Sequence, residues 1–133
     1  MIMKQKIIFW ALIISIPLIS LGMNFFQPSL GPHNGTVKKA GIYYIEMKSL
    51  QQEIHAYLLD KKLTPIGNKG VTCEVKIVYP DSSCLTKPLK TFGYDGFSAE
   101  VTSIQFVNCT IFFKISGKTV SAHFENNNLI VTN

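Results

Sequence analysis

The stretch NCTIFFKISGKTVSAHFE, residues 108–125, has a strong preference for one backbone arrangement. Ser116-Gly117 suits a two-residue hairpin turn, and placing it there pairs Ile115 with Lys118 and fixes every later pair, because strand side chains alternate faces. One face then carries Phe113 with Val120, Ile111 with Ala122 and Cys109 with Phe124. The other carries Lys114 with Thr119, Phe112 with Ser121, Thr110 with His123 and Asn108 with Glu125. A ribbon with one dry face and one wet face must be covered by a second layer.

Much of the remaining chain supplies strands for that layer. YYIEM, HAYLL, VTCEVKIVY and FSAEVTS are rich in β-branched and aromatic residues and are separated by turn residues. SLQQEIHAYLLDKK contains good helix formers. It nevertheless follows GIYYIEM through a turn at Ser49 to Gln52, and EIHAYLLD fits the return strand. VTCEVKIVYPDSSCLTKPLKTF reads as a second hairpin turning at PDSS, and Pro88 marks its returning strand as an edge or an interrupted one. YDGFSAEVTS adds a turn at Asp95-Gly96 and a further short strand. At least six strands joined by short turns predict an all-β fold, a small antiparallel immunoglobulin-like sandwich rather than a barrel.

The beginning of the chain has a different composition. Lys4 and Lys6 precede sixteen uncharged residues, Ile7 to Gly22, and the apolar run extends through MNFF to Phe26. This predicts an apolar N-terminal helix acting as a signal or membrane anchor. Its full length suits an anchor of about 20 residues, whereas Ser20-Leu21-Gly22 suits cleavage of a signal. The lysines favour a cytoplasmic start, with everything beyond Met23 outside. The first cysteine is Cys73, so no lipid-bearing cysteine stands at the export junction. The expected organisation is a signal or anchor at 1–26, a connector at 27–34 and a β domain at 35–133.

The net charge of +5 includes the leader lysines, and no arginine is present anywhere. Scattered lysines without guanidinium forks are poorly suited to reading bases or phosphates, so nucleic acid is not an expected partner.

Three cysteines leave at least one without an intramolecular partner. With PDSS as the turn, Cys84 opposes Tyr79 and lies roughly 20 Å along the strand from Cys73. A disulfide requires alpha carbons about 4.4–6.8 Å apart. Cys73 and Cys109 both face inward, either as a bridge across the sandwich or as two buried thiols.

His33, His55 and His123 have none of the i, i+2 or i, i+4 spacings that place two ligands on one face. A lone loop histidine is usually solvated, and for His33 occasional metal contact and partner contact are the alternatives. Ser98, Ser103 and Ser121 lack a nucleophile elbow, Cys84 has no assignable histidine base, and Asp81, Asp95 and Glu100 form no recognisable carboxylate pair. No catalytic residue is assigned. NGT at 34–36 and NCT at 108–110 match the short glycosylation pattern.

GPHNGTVKKAGIYYIEM, IHAYLLDKKLTPIGNKGVTCEVKIVYPD and GKTVSAHF together resemble small extracytoplasmic β domains of bacteria, found alone or near periplasmic adaptor proteins of heavy-metal efflux systems. Pro32, His33 and Gly35 match that group's lead-in, Asn34 stands where it has a glycine, and Glu46 matches the acidic end of its first strand. The leader, the strand periodicity and the absence of a catalytic constellation point to a non-enzymatic accessory or interaction domain of the cell envelope, periplasmic and membrane-anchored, or secreted after cleavage. The resemblance implies a membrane-facing accessory domain. It also implies an alternative, a low-capacity metal binder or efflux accessory using His33 and Glu46 toward copper or zinc, with an envelope or efflux protein as partner.

Overall fold

The computed structural model describes residues 30–102, 105–126 and 131–132. The expected N-terminal helix, residues 1–26, lies outside them. The described residues form ten strands: β1 (Thr36–Ala40), β2 (Tyr43–Leu50), β3 (Glu53–Leu59), β4 (Thr72–Val78), β5 (Cys84–Pro88), β6 (Lys90–Phe92), β7 (Gly96–Glu100), β8 (Asn108–Ile115), β9 (Lys118–Glu125) and β10 (Val131–Thr132). The described residues contain no α-helix.

One sheet has the order β1-β2-β3-β7-β6, and the other β5-β4-β8-β9. All of these neighbours are antiparallel, while β10 pairs in parallel with Ser49 and Leu50 of β2, beyond the reach of β1. Alternation along the strands gives each sheet one apolar face. Ile45 and Met47 of β2, Ile54, Ala56 and Leu58 of β3 and Phe97 of β7 share a single buried core with Val75, Ile77, Ile111, Phe113 and Phe124. The Phe97 and Phe113 rings meet edge to face at 5.2 Å, joining the two sheets.

The β8–β9 hairpin has the register expected from its sequence, from Ile115 with Lys118 to Asn108 with Glu125. Ser116 and Gly117 both have positive φ, as a tight turn of the favoured hand requires. The helix-forming residues of SLQQEIHAYLLDKK form β3, as the return-strand reading requires: Ile54, Ala56 and Leu58 line the core. The second hairpin differs from expectation by one residue, because Cys84 pairs with Val78 rather than Tyr79. Tyr79 N–H donates to Ser83 O and Ser82 N–H to Tyr79 O, leaving Pro80, Asp81 and Ser82 in the loop. Ser82 adopts φ 68°, and Asp81 Oδ1 accepts from both Ser83 N–H and Ser83 Oγ–H. A left-handed residue after a type I turn makes a three-residue loop, which shifts the register.

Pro88 lies on an edge strand, as expected. Backbone bonds at Tyr79–Ser83 and Leu89–Cys73 set the alternation, so the Pro88 nitrogen faces away from β4 and its missing donor costs no ladder bond. Cys73, Cys84 and Cys109 are all free thiols. Of the two readings for Cys73 and Cys109, the structure has buried thiols. Burial pushes the Cys109 thiol up to about 12 and the Cys73 thiol further still.

The boundary expected at residue 35 falls inside a hydrogen-bonded turn. Leu30 forms a bridge with Thr36, Gly31 N–H donates to Gly35 O, and Asn34 N–H donates to Gly31 O. Residues 31–34 are therefore bonded into the β domain.

Candidate functional site

Glu46 is fully buried, yet it does not belong to the apolar core. Ile45 and Met47 on either side of it fill that core, so Glu46 points to the opposite face of its sheet. What covers it there is the turn from Gly31 to Gly35. Glu46 Oε2 accepts from the backbone N–H of His33 at 2.9 Å and of Gly35 at 2.8 Å, and Oε1 lies 2.7 Å from His33 Nδ1. The two glycines make the approach possible. A Cβ at Gly31 would land on the Glu46 carboxyl group, and one at Gly35 would lie 2.7 Å from Met47 O.

The sheet register supplies the rest of the site. Glu46 pairs with Tyr57, Tyr57 with Gly96, and Gly96 with Phe92, a single row across three strand boundaries. The His33 ring stacks on Tyr57 at 3.6 Å and an interplanar angle of 7°. Its Nε2 lies 2.9 Å from Asp95 Oδ2 in the turn before β7. Phe92 meets Tyr57 edge-on at 6.1 Å and His55 at 4.9 Å, and its ring occupies the space a Cβ at Gly96 would need. Lys48 Nζ–H donates to His33 O at 3.1 Å. The turn between β6 and β7 is braced from below, with Asn68 Nδ2 directed at the carbonyls of Phe92, Gly93 and Gly96.

His33 is thus no solvated loop residue. It bridges two carboxylates, one from β2 and one from the β6–β7 turn, while lying flat on a ring from β3. Carboxylates only accept, so each ring nitrogen facing one is a donor, or a carboxyl carries the missing proton. Burial pushes the Tyr57 phenol up to about 12, and the charges of Asp95 and Glu46 add to the effect. The phenol accordingly remains neutral beside the two acids.

The structure brings His33 and Glu46 together, with Asp95 as a third potential ligand. The two carboxylates lie at opposite nitrogens of one ring, so no single point serves all three as a metal would require. Among the described residues there is no group of three or more His, Cys, Asp or Glu side chains arranged to hold a metal ion. His55 lies 3.6 Å from Glu53, and its pKa is lowered, first by burial. His123 lies on the far sheet, between Thr110 Oγ1 at 3.1 Å and Glu125 Oε1 at 2.8 Å. Neither comes to His33.

Asp95 and Tyr57 were not assigned to this site from sequence. Asp95 carries only a turn signal, and Tyr57 is one apolar position of a strand; both are placed by the order β2-β3-β7, which pairs residues about forty positions apart. No protein-family model, curated protein or solved structure matches this chain.

Proposed function

We propose that the chain is a non-enzymatic accessory or interaction domain of the bacterial cell envelope. It is exported by the apolar run 7–26 and held at the membrane by that run where it stays uncleaved. We assign it an immunoglobulin-like sandwich. Strands β2-β3-β7-β6 and β9-β8-β4-β5 follow the ABED and GFCC′ orders of that fold, with β1 and β10 added beside β2.

One observation carries the non-enzymatic reading: the cluster of ionisable side chains around His33 is closed upon itself. Both carboxylate oxygens of Glu46 and both ring nitrogens of His33 have partners within the domain. The Tyr57 phenol beside them is pushed up to about 12 by burial and stays neutral, so the cluster holds no activated nucleophile. Its evident work is to clasp the N-terminal turn to the sheet. The resemblance to envelope β domains and the lysine-flanked leader support the location.

Two experiments test this reading. A membrane-impermeant maleimide added to intact spheroplasts should label Cys84, which is exposed, while Cys73 and Cys109 stay unreacted until the domain is unfolded. Protection of Cys84 until the membrane is broken would place the domain inside and end the envelope reading. Titration of the full chain with zinc and copper should give no saturable binding, because a metal at His33 must displace a carboxylate from a ring nitrogen. Tight binding that His33→Ala and Glu46→Gln both abolish would replace the interaction reading with metal handling by His33 and Glu46.

A further inference from the structure

The clasp confines one dipeptide with its own chemistry, Asn34-Gly35. An asparagine followed by glycine is the pair most open to attack by the next backbone nitrogen on the side-chain carbonyl, since glycine offers no side chain in the way. Asn34 is exposed at the apex of the turn with φ 63°, and Gly35 behind it is buried.

We propose that Asn34 is a latent site of spontaneous amide-to-acid conversion, held shut by the bond from Gly35 N–H to Glu46. The reaction begins when the Gly35 nitrogen loses its proton and forms a bond to Asn34 Cγ. The Cγ–Nδ2 bond breaks, ammonia leaves with the proton, and a five-membered imide remains. Water then opens the imide at either carbonyl, giving an aspartyl or an isoaspartyl linkage.

In the closed clasp each early step is opposed. The Gly35 N–H points at Glu46 Oε2, 2.8 Å away, and is held there by turn bonds at Gly31 and Asn34. Deprotonation would place negative charge against a buried carboxylate, where repulsion is little screened. Gly35 also lies against the backbone of β2, with Met47 O 2.7 Å from where a Gly35 Cβ would stand. Conversion therefore proceeds through local opening, at a rate set by the open fraction. The isoaspartyl product threads an extra methylene into the backbone between His33 and Gly35. Their two N–H groups then no longer reach Glu46 Oε2 together, so the modified turn stays open. This proposal goes beyond the envelope reading and does not depend on it.

The test is to incubate the full chain, folded and in urea, and follow Asn34 by peptide mass spectrometry with isoaspartyl detection. Conversion in the folded chain should be about tenfold slower or more than in the unfolded chain. Glu46→Gln and His33→Gln, each checked for an unchanged β spectrum, should move the folded rate toward the unfolded one. If Glu46→Gln does not fold, His33→Gln decides, since losing the ring's contacts with Glu46, Asp95 and Tyr57 raises the open fraction of the turn and so frees Gly35 N–H more often. Equal rates in the folded and unfolded parent, or a folded clasp variant converting no faster than the parent, would overturn the proposal.

Discussion

Glu46 Oε1 lies 2.7 Å from His33 Nδ1, so a carboxylate thirteen residues further along the chain closes the turn that leads into β1. Because the other oxygen takes two backbone N–H groups, one side chain holds three nitrogens of the turn. Glu46→Ala strands all three and should lower stability by about 3–5 kcal/mol, the range for breaking a buried pair. Partial exposure of His33, 23 % of its side chain, favours the lower end. Glu46→Gln keeps an acceptor for the backbone donors and should cost about 1–3 kcal/mol. Urea unfolding of both variants measures the difference, and equal costs would show that the charge matters little.

Gly35 and Gly96 are both crowded, but by different neighbours. Alanine at Gly35 meets the Met47 carbonyl at 2.7 Å, a backbone atom fixed in β2. At Gly96 it meets the Phe92 ring at 2.5 Å, on a short edge strand and 39 % exposed. Gly35→Ala should cost about 1–3 kcal/mol as an overpacked site, and Gly96→Ala less, because the ring can lift away. Denaturation midpoints provide the check, together with a loss of protection around His55 and Tyr57 in Gly96→Ala.

Phe112 and Phe113 are neighbours in sequence on opposite faces of β8. Phe113 is fully buried against Phe97, and Phe112 is half-buried on the outer face. Phe113→Ala should cost roughly 3–5 kcal/mol through lost burial and a cavity, and Phe112→Ala clearly less. Similar losses in thermal or urea unfolding would contradict the hairpin register.

Tyr57 predicts an alkaline dependence. Its phenol ionises near 12 in the fold, whereas an unfolded tyrosine does so at about 10. Between these values the unfolded chain holds fewer protons. The contribution of Tyr57 is therefore fully present below about pH 10 and lost as pH rises toward about 12. Stability measured across this window should fall less steeply in Tyr57→Phe. A phenolate absorbance titration should also show one tyrosine ionising late in the parent alone.

The β8–β9 hairpin was legible from its sequence because turn chemistry and face chemistry, both local, agree on one register. The hairpin at Tyr79 to Ser83 was legible in kind but misplaced by one residue. The left-handed Ser82 that sets its loop is a serine, with no glycine to announce a positive φ. His33 and Glu46 were named together only through a resemblance, as a metal pair; neither spacing nor periodicity brings them into contact. Their contact depends on the outer face of β2 being covered, and an alternating strand does not reveal what covers its second face. Asp95 and Tyr57 were harder still, since they reach His33 only once β7 is paired beside β3.

Pro88 has a consequence for neighbouring copies of the chain. The open side of β5 can offer the amides of Cys84 and Thr86 but none at Pro88, so a foreign strand docking there finds its ladder interrupted after two donors. Where many copies are gathered at high local density, this small defect works against edge-to-edge stacking into continuous sheets. It favours separate domains over filaments.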